Sequence, residues 1–276
     1  MKVHFTKMHG LGNDFVVINA IEQSFGLTSA QIQKMANRRL GVGFDQLLVL
    51  EPPGNSKVDF HFRIFNADGS EVGQCGNGAR CMARFIREQG LSPAREFCLS
   101  TLADKLYLKI EKDDKVSVHM GIPRFEPADI PFIADQSHAF YTVMVGGQSV
   151  RLGVVNIGNP HAIIPTEQID SSTVATLGAL LSQHQRFPEG VNVGFMQVID
   201  PQNIRLRVYE RGTGETLACG SSACAAVAVG RRHGMLQERV AVNQPGGSLA
   251  IHWQGPDTPI LMTGPAMTVY TGTWED

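Results

Sequence analysis

Two cysteine–glycine steps carry the chemistry that this chain advertises. One lies in "QCGNGARCMARFI" (Gln74–Ile86), the other in "ACGSSACAAVAVG" (Ala218–Gly230). In both, small residues, Met and Arg replace the β-branched residues found nearby. Each segment reads as a helix opening at the Cys-Gly step and stopping at a glycine, Gly90 in one case and Gly234 in the other. A cysteine at a helix N-terminus sits among unpaired backbone N–H groups at the positive end of the dipole. That setting lowers a thiol pKa from about 8.5 toward neutrality. The glycine after it lets a ligand approach the backbone closely, and the same amides form a receptor for a carboxylate. A proton-exchanging thiol beside an anion clamp suits one reaction in particular, inversion at the α-carbon of an amino acid. Inversion needs a base on one face of the carbon and an acid on the other. A thiolate and a thiol fill these roles and exchange them in the reverse direction. With no electron sink the barrier is large. Aimed helix dipoles and exclusion of water contribute on the order of several kcal/mol each.

The elements that must position the two cysteines recur as well. Without a gap, "FHFRIFNADGSEVGQCGNGARC" aligns with "IRLRVYERGTGETLACGSSAC". Arg63 meets Arg207, Phe65 meets Tyr209, Glu71 meets Glu215, Cys75 meets Cys219, Gly76 meets Gly220 and Ala79 meets Ala223. The offset is 144, from position 75 to position 219. "GNDF" at Gly12 recurs as "GNPH" at Gly158, and Gln46 in "GFDQLL" recurs as Asn192 in "GVNVGF", both at an offset of 146. A helix is expected after the first landmark of each half. Thr28–Leu40 opens with a capping box, Thr28 at the cap and Gln31 three residues on, and Ser172–Gln183 occupies the equivalent place. A period near 145 is too long for a solenoid, so the chain reads as two similar domains. Most other segments alternate as strands: "DFHFRIF", "NIRLRVY", "KLYLKI", "KVSVHM", "YTVMV", "ERVAVN" and "SLAIHW". The second Cys-Gly helix is so small and apolar that it belongs inside a curved sheet. The last strand, "AMTVYTG", is expected to return to the first domain.

Composition narrows the partners. The 276 residues are 43% hydrophobic, enough for two domains of roughly 130 residues each. Lys plus Arg number 24 against 26 Asp plus Glu, so charge offers no case for nucleic acid or an anionic membrane surface. No run approaches the ~18 apolar residues of a membrane span, and "MKVHFTKMHG" lacks the apolar core of a secretory signal. The odd set of five cysteines (Cys75, Cys81, Cys98, Cys219, Cys224) points to reduced thiols in the cytoplasm rather than a disulfide framework.

"HGLGNDF", "GFDQLL", "FNADGSEVGQCGNGARC", "GNPH", "VYERGTGETLACGSSAC" and "PGGSL" resemble the diaminopimelate epimerase family along essentially the whole chain. The resemblance implies an α/β (α+β) fold of two pseudosymmetric domains, each a curved, mostly antiparallel β-sheet or barrel wrapped around a central helix. The first domain would be residues 1–119 plus 265–276, carrying Cys75, and the second residues 120–264, carrying Cys219. The family interconverts LL- and meso-diaminopimelate by two-base proton transfer, without pyridoxal phosphate, other cofactor or metal, on the route to lysine and cell-wall precursors. It forms homodimers. The likeness makes Cys75 and Cys219 the catalytic pair, with His161 and Glu210 modulating their proton affinity. Asn13, Gln46, Asn66, Asn77, Asn159, Asn192, Glu210 and Arg211 match substrate positions, and Gly76, Gly220 and Ser221 match the helix-head amides that hold the reacting carboxylate. The substrate carries an amino acid group at each end. A guanidinium such as Arg211 suits the distal carboxylate, and asparagine amides read amino and carboxylate groups.

Blander readings hold for neighbouring residues. Cys81 and Cys224 follow the paired cysteines at six and five residues, off the i, i+4 spacing, and read as helix packing; Cys98 reads as a strand residue. Arg63 and Arg207 are assigned to sheet structure. His161 can be a satisfied loop histidine, but its recurring "GNP" neighbours favour the site. A zinc or dithiol redox protein fits poorly, because the cysteine spacings are C-x5-C and C-x4-C and no C-x-x-C occurs. A proline or hydroxyproline racemase would keep both thiols but has no distal group for the asparagines to bind. Isomerases of phenazine formation on this scaffold usually lack the thiol pair.

Overall fold

The computed structural model describes residues 2–276. The chain divides into two compact units, Met1–His119 with Thr263–Asp276, and Met120–Met262. The return to the first unit thus comes at Thr263, two residues before the division expected at position 265.

The first unit runs β1 (Lys2–Gly10), β2 (Asn13–Asn19), α1 (Ser29–Ala36), β3 (Gln46–Glu51), β4 (Phe60–Asn66), β5 (Glu71–Val72), α2 (Gly76–Glu88), β6 (Glu96–Ser100), β7 (Lys105–Ile110) and β8 (Val116–His119). The second runs β9 (Tyr141–Val145), β10 (Gln148–Asn156), β11 (Pro160–Pro165), α3 (Ser171–Ser182), β12 (Asn192–Asp200), β13 (Asn203–Glu210), β14 (Gly214–Thr216), α4 (Gly220–Arg232), β15 (Arg239–Gln244) and β16 (Gly247–His252). Strand β17 (Leu261–Gly264) spans the division, and β18 (Met267–Glu275) closes the chain.

Strand pairing repeats between the units. In the first, β1 lies antiparallel between β18 and β2, β2 runs parallel to β3, β3 antiparallel to β4, and β4 borders β5 and, in parallel, β6. In the second, β10 lies antiparallel between β9 and β11, β11 runs parallel to β12, β12 antiparallel to β13, and β13 borders β14 and, in parallel, β15. Even the register repeats: Phe15 faces Gln46, and His161 faces Asn192.

Each sheet is covered on both faces, which explains the uninterrupted apolar runs in its parallel strands. Side chains alternate across the sheet. Val16, Ile18, Leu47 and Val49 join Ile32 and Met35 of α1 in one cluster, while Leu48 faces Gly78 of α2. Helix α2 packs against β1, β2, β3, β7, β8 and β18, so the sheet curves around it. Helix α4 packs against β10, β11, β12, β13 and β16 and is buried continuously from Ser222 to Gly230, as its small apolar sequence requires. Gly153 of β10 permits this approach, since a Cβ there would lie 2.5 Å from Val229 Cγ1.

Two expected boundaries move. Helix α1 keeps its capping box at Thr28 but ends at Ala36 rather than Leu40. The Asn37 side chain accepts the N–H groups of Arg39 and Leu40, a local turn that competes with continued helix. Helix α3 starts at Ser171, one residue early, because the Asp170 side chain caps it by accepting Thr173 N–H. The recurring arginines also find their reason. Arg63 binds Glu71 through Nε and Nη2, both at 2.8 Å, and Arg207 binds Glu215. Each pair ties its hairpin just ahead of the Cys-Gly step.

Candidate active site

In the first unit the head of α2 meets the start of β2. Cys75 is the N-cap residue, and its Sγ accepts the Gly78 N–H at 3.3 Å. The sulfur takes the place of the usual cap oxygen, at the positive end of the helix. Its residue is half-buried, as are Gly76 and Asn13. Asn77 is buried and donates to Asn13 Oδ1 at 3.2 Å. Gln46, at the start of β3, donates to Asn66 Oδ1, at the end of β4, at 2.9 Å. The six residues singled out in this half (Asn13, Gln46, Asn66, Cys75, Gly76, Asn77) thus lie at strand ends and loops, or at the helix N-terminus.

The second unit builds the equivalent head differently. Cys219 caps α4 without a side-chain cap bond, its sulfur 3.5 Å from Ser221 Oγ. Its own N–H donates to Gln244 Oε1 at 2.8 Å. Burial pushes the Cys219 thiol well up, the Glu210 carboxylate pushes it further, and hydrogen bonds from Ser221 and Ser222 only partly oppose them. The expected lowering by the helix dipole is therefore overturned at Cys219: desolvation of the thiolate outweighs the partial charge of one helix end. Glu210 accepts from Thr216 Oγ1 at 2.6 Å.

His161 is not a loop residue. It lies in β11, is fully buried, and contacts Asn159 Oδ1 through Nε2 at 2.7 Å and Ser222 Oγ through Nδ1 at 3.2 Å. Burial, aided by the nearby Arg211 charge, pushes its pKa down to about 3. A neutral ring fits these partners if Nε2–H donates to the asparagine and Nδ1 accepts the serine hydroxyl. Asn192 is buried, donates to Pro160 O and accepts the Arg211 N–H at 3.0 Å. The Arg211 guanidinium binds Glu189 O and packs over Gly190, where a Cβ would meet Arg211 Cδ at 2.8 Å.

All five cysteines are free thiols. Cys81 and Cys224 are buried within their helices, and burial pushes the Cys81 thiol up to about 12, as packing residues should behave. Among the described residues no three His, Cys, Asp or Glu side chains cluster to hold a metal, and no helix is long and apolar enough to cross a membrane.

Sequence comparison adds to this geometry. The sequence profile of the diaminopimelate epimerase family matches residues 5–126 and 153–269. The chain belongs to that family. It is 72% identical to the diaminopimelate epimerases of Coxiella burnetii strains Dugway 5J108-111 and RSA 493 / Nine Mile phase I, over all 276 residues and 100% of each relative. Among solved structures it resembles a hydroxyproline epimerase of Agrobacterium vitis, with a TM-score of 0.72 at 15% identity over 99% of this chain and 92% of that one. A probable proline racemase of Agrobacterium radiobacter K84 gives 0.70 at 16% identity over 98% and 92%. A PhzF-family phenazine biosynthesis protein of Bacillus anthracis gives 0.70 at 15% identity over the full length of both chains. At such identities these neighbours share the fold alone.

Sequence reasoning passed over several groups that hold the site residues in place. Ser222 links His161 to the Cys219 helix head, Thr216 holds Glu210, and Gln244 takes up the Cys219 amide. Asp14 and Asp45 lie inside the motifs "GNDF" and "GFDQLL", but neither recurs at the 146 offset, where Pro160 and Val191 stand, so the duplication gives no sign of them.

Proposed function

We propose that the protein interconverts LL- and meso-diaminopimelate, with Cys75 and Cys219 acting on opposite faces of one α-carbon. The observation that carries this reading is the duplicated plan, in which each unit presents a Cys-Gly step as the N-cap of its central helix, in a chain 72% identical to named diaminopimelate epimerases. The two units serve as domains, and each contributes one thiol to the reaction. Helix-head amides at Gly76, Gly220 and Ser221 receive the reacting carboxylate. Asn13, Gln46, Asn66, Asn77, Asn159, Asn192, Glu210 and Arg211 bind the remaining amino and carboxylate groups, Arg211 through its guanidinium.

The two thiols sit in different surroundings. Cys75 Sγ already accepts a helix-head N–H, a bond that strengthens when the acceptor is a thiolate. Cys219 is buried beside the Glu210 charge, which holds its proton on. In one direction Cys219 therefore serves as the acid and Cys75 as the base. One sulfur removes the α-proton while the other delivers its proton to the opposite face; the states are then exchanged, ready for the reverse direction. Neutral His161 acts on Cys219 through the Ser222 hydroxyl rather than as a cation. The chemistry is complete with these groups and calls for no cofactor. The protein works in the cytoplasm as a homodimer, on the route to lysine and cell-wall precursors.

The test is direct. Purified protein incubated with LL-diaminopimelate should yield the meso isomer by chiral chromatography and leave L-proline unchanged. Racemisation of proline with no turnover of diaminopimelate would overturn the assignment.

A further inference from the structure

The start of β2 meets the residue just ahead of β3 through a set of four charges, Lys7, Asp14, Arg38 and Asp45, outside the proposed substrate contacts. Asp45 Oδ2 accepts Asn13 Nδ2 at 2.8 Å and the Asp14 N–H at 3.1 Å. Its other oxygen takes Arg38 Nη2 at 2.6 Å. Asp14 replies in kind: its Oδ1 accepts the Asp45 N–H at 3.1 Å, and its carboxylate binds Lys7 and Arg38. Both carboxylates are thereby fully engaged, and the four formal charges cancel.

The consequence falls on Asn13. A carboxylate can accept but not donate, so Asp45 dictates that the Asn13 NH2 group points toward it. Asn13 Oδ1 must then point the other way, where Asn77 donates to it at 3.2 Å. A connected series runs Arg38–Asp45–Asn13–Asn77 and ends two residues from Cys75. Without the carboxylate, the Asn13 amide could turn over and present the wrong polarity both to Asn77 and to a ligand.

We propose that Asp45, braced by Arg38, is a positioning residue that fixes the amide orientation of Asn13 and, through it, of Asn77 at the head of α2. The proposal rests on the reading of Asn13 and Asn77 as substrate amides. A plain surface ion pair is the competing description, since the Asp45 and Arg38 side chains are 44% and 57% exposed. Such pairs contribute little to stability, which makes the two roles separable. A positioning role moves the reaction and leaves the melting temperature nearly unchanged.

The experiment is a double-mutant cycle with Asp45→Ala and Asn13→Ala, read as kcat/KM for LL-diaminopimelate, beside side-chain amide NMR of asparagine-labelled protein. Loss of a charge-assisted hydrogen bond predicts a fall of about 10- to 100-fold for Asp45→Ala. In the Asn13→Ala background the same change should cost less than about twofold, because its target is already gone. Asp45→Asn, whose amide oxygen can still accept from Asn13, should recover much of the loss. In the NMR spectrum the Asn13 Nδ2 protons should be distinct and slow to exchange, and should become solvent-like in Asp45→Ala. Equal losses in both backgrounds, a kcat/KM within twofold of the parent, or an Asn13 signal indifferent to Asp45→Ala would overturn the proposal. If the parent protein fails to turn over diaminopimelate while the Asn13 signal still responds, the functional assignment falls and the positioning role stands.

Discussion

Acidification probes the state of His161, on which the wiring of the second helix head depends. The ring is fully buried, and its folded pKa lies near 3 against 6.5 for an unfolded histidine. Burial is the main cause, since it disfavours the charged imidazolium, and the nearby Arg211 charge acts in the same direction. The sign follows from proton uptake. Below pH 6.5 the unfolded chain binds a proton that the folded chain refuses, so the contribution of the neutral ring is complete above pH 6.5. It fades as pH falls toward about 3. Each pH unit in that window is worth about 1.4 kcal/mol. Moving from pH 6.5 to 4.5 should therefore remove about 2–3 kcal/mol through this one residue. Urea unfolding at the two pH values, compared between the parent and His161→Gln, isolates the term. The variant should be less stable at pH 7, yet its stability should fall by about 2–3 kcal/mol less on acidification. Nitrogen NMR of labelled histidine reads the same point directly: Nε2 protonated and Nδ1 bare, with no titration above pH 4.5. Parallel stability curves, or a His161 midpoint near 6.5, would refute both the buried neutral ring and its route to Cys219 through Ser222.

Three further outcomes follow from the same geometry. Iodoacetamide should modify Cys75 well before Cys219, because the first is half-buried and the second is 6% exposed with its proton held on; peptide mapping showing Cys219 labelled first would contradict this. Glu210→Gln removes the charge that raises the Cys219 thiol, so the pH at which Cys219 ionises should fall, seen as an acid shift in its alkylation profile; an alkaline shift would mean that Glu210 does not act on the sulfur. Asp14→Asn leaves Lys7, whose side chain is 11% exposed, without its carboxylate, and should cost about 3 kcal/mol in unfolding free energy, as for other broken buried pairs. Lys7 Nζ also donates to Gly43 O, and a loss below about 1 kcal/mol would show that this carbonyl and solvent suffice for the ammonium.

How much of this was legible in the sequence depends on the distance over which each feature is determined. The duplication was legible because the register repeats residue by residue: the 146-residue spacing of Gln46 and Asn192 places each beside the equivalent strand of its own unit, opposite Phe15 in β2 and His161 in β11. The helix caps at Thr28, Cys75 and Cys219 were legible because a cap is settled within a few residues. Helix α1 was overextended by four residues because Asn37 bonds forward to Arg39 and Leu40, a choice that periodicity does not encode. The Cys219 thiol was misjudged because the helix dipole is local and visible in sequence, whereas its burial depends on the sheet around α4. The role of Ser222 is not legible in sequence, because its bond to His161 spans 61 positions. The role of Asp45 is not legible in sequence, because its bond to Asn13 exists only once β2 and β3 lie side by side.

The two-sulfur chemistry itself is tested most directly by early-time isotope incorporation in deuterated water. Starting from LL-diaminopimelate, deuterium should enter the meso product at the inverted carbon while recovered substrate retains its proton, and the reverse reaction should behave in mirror fashion. Equal labelling of recovered substrate and product would mean that one group serves both faces, and the pairing of Cys75 with Cys219 would be wrong.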